Sequence, residues 1–129
     1  MKRLIGMVVA IIGVASLVMG IVFIIQSNSG KKQIADDIAP LEISEVNARY
    51  DMITAANAKL IAIEEPKIQT QQAAPSTMYD YLTAQRVGLG LARTNIGLVG
   101  FTMMNGVMDI ILGAGLLMVG IVFISKEKA

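Results

Sequence analysis

The chain of 129 residues carries 11 Lys and Arg against 10 Asp and Glu, a formal net charge of +1, and 54% of its residues are apolar. Balanced, scattered charge gives no electrostatic footprint for nucleic acid. The lack of Cys, His and Trp excludes disulfides, thiol chemistry, thiolate or imidazole metal sites and every catalytic triad with a His base, so no metal and no cofactor is expected.

Met1-Lys2-Arg3 is a short basic head. Leu4 to Ile25 then runs for about 22 residues without a charge, roughly 33 Å as a helix and enough to cross a bilayer core. Residues 1–25 are read as an uncleaved transmembrane helix rather than a signal peptide. The run exceeds an h-region of about 7–15 residues, and only Ser27-Asn28-Ser29 imitates a cleavage site.

Residues 26–95 predict an extracytoplasmic helical segment. Gln26 to Gly30 is a small polar exit, with Lys31 and Lys32 at headgroup height. Ile34, Ile38 and Leu41 form one helical stripe; Val46, Tyr50, Ile53, Leu60 and Ile61 form a second. Pro40 separates them, because it lacks an N–H and biases Ala39 out of the helical region. Ser44 is expected to cap the second piece, with Glu45 in its first turn. Residues 66–75, bracketed by Pro66 and Pro75, predict a linker at the tip farthest from the membrane.

Ser76 is expected to cap the next helix, whose stripe runs through Met78, Leu82, Leu89, Ala92, Ile96, Val99 and Met103 and is broken by Gln85. Its register passes without a slip into Gly106, Ile110 and Gly113. A second transmembrane helix, residues 96–125, is therefore expected to continue the descending arm. Residues 126–129 form a charged cytoplasmic tail. The fold class expected is all-α: two transmembrane helices flanking an extracytoplasmic helical hairpin. Lys2, Arg3, Lys126 and Lys128 favour both termini in the cytoplasm. Lys31, Lys32 and Arg93 argue the other way but lie in or beside a loop above about 60 residues, which translocates largely regardless of charge.

Glycines recur every seventh residue in both apolar runs, at Gly6, Gly13 and Gly20 and at Gly106, Gly113 and Gly120. Lipid gives helices no hydrophobic reason to associate, so contact depends on the close approach that small residues permit. An antiparallel pair would set Gly6 near Gly120, Gly13 near Gly113 and Gly20 near Gly106, within one chain or between chains. Asp109 lies about 25 Å along the helix from Lys126, one or two turns below the outer boundary of the bilayer, where an ionisable group is costly unless paired or hydrated. It reads as an interfacial carboxylate drawing water from the headgroups, with a polar lock to a partner subunit or an ion path as the alternatives. Asn105, one turn earlier, is expected to share a polar pocket with it, and Lys31 or Lys32 to reach down towards it.

Other clusters carry weaker chemistry. Asp36, Asp37, Glu42 and Glu45 lack the alternating acids and central Gly of a calcium loop and read as a solvated face. Met103, Met104 and Met108 read as adaptable packing rather than a copper site. Gly88-Leu-Gly90 lies in a helical register, not after a strand, and reads as a place where a neighbouring helix approaches. Tyr79 and Tyr81 read as contact residues on different faces.

The function expected is that of a small non-enzymatic integral membrane protein, an accessory or scaffold subunit of a larger membrane complex or the repeating unit of a homo-oligomer. Its partners are the lipid bilayer and other membrane-protein subunits or copies of itself. The alternative is a small homo-oligomeric channel or pore, for which Ser16, Thr102, Asn105 and Asp109 are the only polar lining the membrane segments offer.

Overall fold

A computed structural model describes residues 2–126, so part of the tail expected at residues 126–129 lies outside the described residues. Every regular element among them is helical. Helix α1 spans Lys2–Ile38, a single 3-10 turn spans Ile43–Glu45, α2 spans Val46–Gln69 and α3 spans Thr77–Lys126. Helices α1 and α3 are each long and apolar enough to cross a membrane.

The chain divides into two compact units. The first joins the residues up to Lys32 with those from Leu98 onward. Its two helical segments run antiparallel, since Gly6 meets Gly120 and Gly20 meets Gly106. Buried positions on the α1 side fall at Gly6, Gly13, Gly20 and Ser27, a strict period of seven. A period of seven holds one face towards a partner helix along its whole length.

The second unit, Gln33–Gly97, contains the end of α1, all of α2 and the start of α3. Its apolar core is Ile34, Val46, Ile53, Leu89 and Ala92. Contacts between residues 64 and 76, 57 and 83, and 50 and 90 set α2 antiparallel to the start of α3. Helix α1 stops two residues before Pro40, and a turn closed by Leu41 N–H donating to Ile38 O redirects the chain. Ser44 does not cap α2. It lies inside the 3-10 turn, and the extended residue before that turn is Glu42, whose N–H donates to Glu45 Oε2 at 3.2 Å. Glu42 and Glu45 have the three-residue spacing at which a carboxylate reaches back to the N–H that opens a helix.

The stretch expected as linker begins in helix, because α2 passes through Pro66 to Gln69. Within the last turn Pro66 forfeits only its own donor, while its carbonyl accepts both the N–H and the hydroxyl of Thr70 at 3.2 and 2.8 Å. Gln71 then takes φ 56°, and Gln72 N–H donates to Lys67 O, a left-handed helix stop with Gln where Gly is usual. Ser76 does open α3: its Oγ accepts from Tyr79 N–H at 3.1 Å.

Candidate functional site

The glycine contacts of the first unit are backbone to backbone. A Cβ built on Gly13 would lie 2.8 Å from Gly113 O, and one built on Gly113 would lie 2.7 Å from Gly13 O. Gly20 and Gly106 repeat the arrangement at 2.6 and 2.8 Å, Gly6 and Gly120 at 2.9 and 2.8 Å. In each pair the α-hydrogen standing where Cβ would be points at the carbonyl of the facing glycine. Such reciprocal Cα–H···O contacts contribute about 0.5–1 kcal/mol each. All six glycines are engaged within one chain.

The seam extends beyond them. Counting seven from Gly20 gives Ser27, which is fully buried and donates from Oγ to Val99 O at 3.0 Å. Sequence reading placed Ser27 in the polar exit; the unbroken period was the signal that assigns it to the seam. Gly30 follows against Val99, with Cβ to Cβ 4.0 Å for an added side chain. Four other glycines (Gly88, Gly97, Gly100 and Gly115) face open space. Close helix approach in the Gly88–Gly90 stretch is limited to Gly90, which would meet the Tyr50 ring at 3.3 Å.

Asp109 and Asn105 are not joined to each other. Asn105 is exposed and Asp109 half-buried, and neither side chain makes a hydrogen bond or ion pair among the described residues. What touches Asp109 is Ser16, whose Oγ donates to its backbone carbonyl at 3.0 Å. Lys31 does not reach Asp109; its Nζ lies 3.3 Å from Met103 Sδ. The methionines do not converge either, since Met103 is half-buried while Met104 and Met108 are turned outward.

In the second unit a polar layer crosses the core. Asn57 is fully buried; its Nδ2 donates to Thr83 Oγ1 at 3.2 Å, and Arg86 Nη1 donates to its Oδ1 at 3.3 Å. Sequence reading passed over Asn57. It is the one polar residue in the register 46, 50, 53, 57, 60, and that interruption was the available signal. At the far end Glu64 accepts from Ser76 twice, from Oγ at 2.6 Å and from N–H at 3.0 Å. These bonds hold the Glu64 carboxyl below its usual range. Tyr50 carries the Arg93 guanidinium over its ring at 5.3 Å. Tyr81 is exposed and Tyr79 half-buried. A groove of about 690 Å³ opens beside Pro40, floored by Gly88, Leu89 and Ala92 and edged by Asp37, Glu45 and Arg49. All four acids of the cluster around Pro40 are exposed.

Comparison with protein-family models, with curated proteins and with solved structures finds no match for the chain.

Proposed function

We propose that the chain is a two-pass integral membrane protein without catalytic activity, an accessory or scaffold subunit of a larger membrane complex. Both termini are cytoplasmic, the Gln33–Gly97 unit is the extracytoplasmic module, and the second span continues from its descending arm. One observation carries the proposal. The two apolar helices touch backbone to backbone along a glycine seam, and their remaining faces are uncovered. Only 11% of the most apolar stretch of each helix is buried, whereas the core helix of a water-soluble protein is mostly buried. Outward-facing Leu4, Ile11, Ile111 and Met118 are each more than 60% exposed. Lipid accommodates such a surface at no cost, and water does not.

The seam is occupied within the chain, so partners must use other faces. The module of 65 residues between its spans (33–97) offers a further surface, and the protein acts by contact. The test is the native mass after gentle detergent extraction, with identification of whatever accompanies the chain. A defined complex with other polypeptides is the expected result. A ring of this chain alone that conducts ions in liposomes would replace the proposal with the pore, and an isolated monomer would end it. Orientation is read separately: a cysteine at Thr70 should be labelled in intact cells and one at Ala129 should not.

A further inference from the structure

The membrane segment of α3 carries a second stripe beside the glycine seam. Leu98, Thr102, Asn105, Asp109 and Leu112 each stand one residue before a seam position, Val99, Met103, Gly106, Ile110 and Gly113. One residue is a turn of about 100° in a helix, so this stripe forms its own face, turned away from the facing glycines. Leu98 and Leu112 at its ends are 59% and 55% exposed, and Asn105 is exposed between them. Ser16 of α1 lies at its edge through the bond to Asp109 O. Ser16, Thr102, Asn105 and Asp109 therefore gather on one flank.

We infer that this flank of the first unit docks a transmembrane helix of another polypeptide that carries a Lys or Arg opposite Asp109. Charge complementarity selects that occupant. Asp109 is the one ionisable residue between Leu98 and Ser125, and its carboxylate has no partner among the described residues. The hydroxyl of Thr102 is already bonded to Leu98 O at 2.9 Å, and Lys31 is turned to Met103. Intramembrane charges pair with each other or with water-lined cavities. A second copy fits poorly, since two-fold packing on this face within one membrane brings Asp109 against Asp109, and neighbouring carboxylates cannot both ionise. The amide of Asn105, one turn away, adds a donor and an acceptor for the same partner helix.

The inference rests on the subunit proposal, and its test separates the two. A photo-crosslinking residue replaces Leu112 in the full chain in its native membrane, with the same replacement at Met118, on the far face, as control. Adducts are expected at Leu112 and not at Met118, on a membrane-spanning peptide bearing Lys or Arg. Asp109→Leu should lower their yield about tenfold or more. Asp109→Lys should abolish them, and changing the captured Lys or Arg to Asp should restore them. A disulfide between Gly30→Cys and Val99→Cys reports that the variant hairpin is intact. Adducts to this chain itself, adducts to lipid alone, or adducts indifferent to Asp109→Leu each overturn the inference. If extraction yields a complex with other polypeptides while Leu112 captures none of them, the subunit proposal stands and this face falls. If the chain extracts alone, both fall.

Discussion

The two units solve the same problem, holding helices together, with opposite materials. In the first, the buried positions are Gly6, Gly13, Gly20, Ser27, Gly106, Gly113 and Gly120, residues with almost no side chain. In the second they are Ile34, Val46, Ile53, Leu89 and Ala92, with Asn57 as the polar exception. The difference follows from the surroundings proposed for each. In water, removing aliphatic surface supplies the driving force, at about 25 cal/mol per Å². Between lipid chains that force vanishes, and what remains is backbone contact and the few hydrogen bonds that serines can add. The lesson is that a seam of glycines and a stripe of aliphatics can follow one heptad register and still rest on different physics.

Substitutions test that contrast. The largest effect is expected from Gly113→Leu. Its Cβ would lie 2.7 Å from both Gly13 O and Leu17 N, so the helices must separate, at about 3 kcal/mol by overpacking. Gly115→Leu, with nothing within 4 Å, should leave the detergent-denaturation midpoint almost unmoved. Equal midpoints for the two variants would dissolve the seam. Next comes Asn57→Ala, which strands Thr83 and Arg86 and should destabilise the second unit by about 1–3 kcal/mol in urea titrations of the chain in nanodiscs. An unchanged midpoint would mean that the polar layer contributes nothing.

Ser76→Ala should cost about 1 kcal/mol through the lost cap of α3. It should also reduce an acid sensitivity, since only the hydroxyl bond to Glu64 is lost. The Glu64 carboxyl lies below its ordinary value of 4.5 in the folded chain, so its stabilising bonds are fully present above that pH. They are lost as the pH falls through the folded value. Amide exchange at Tyr79, corrected for intrinsic pH dependence, should accelerate below about pH 4.5 in the parent chain and show a smaller step in Ser76→Ala, whose backbone N–H still donates to Glu64. The smallest effect is Gln71→Gly, which relieves a left-handed residue and should stabilise the second unit by about 1 kcal/mol or less. A loss of stability there would mean that the Gln71 side chain contributes more than its backbone costs.

Much of this was legible because helices write their contacts as periods. The all-helical class and the two long apolar helices follow from apolar runs and stripes alone, and the offset between Gly6 and Gly120 can be counted once an antiparallel pair is supposed. What escaped were residues whose type argued against their position. Ser27 and Asn57 sit in register, but as polar residues the first was assigned to an exit and the second was left out of its stripe. Pro66 looked like a boundary because proline lacks a donor; α2 forgoes the bond to Ala62 O there and runs three residues further, with the Pro66 carbonyl anchoring Thr70. Asp109 was legible as unusual. That its neighbour would be the hydroxyl of Ser16 rather than Asn105 or Lys31 depends on side-chain direction, which a period does not encode.

The central claim is that the two apolar helices close on each other within one chain. The chain has no native cysteine, so a pair introduced as Gly30→Cys and Val99→Cys gives an unobstructed test. Their Cβ atoms would stand 4.0 Å apart, inside the range of about 3.5–4.5 Å that a disulfide spans. Mild oxidation in the membrane should convert the double variant almost fully to an internally bridged monomer, while each single variant stays reduced and monomeric. Bridged dimers, or no bridge at all, would contradict the account.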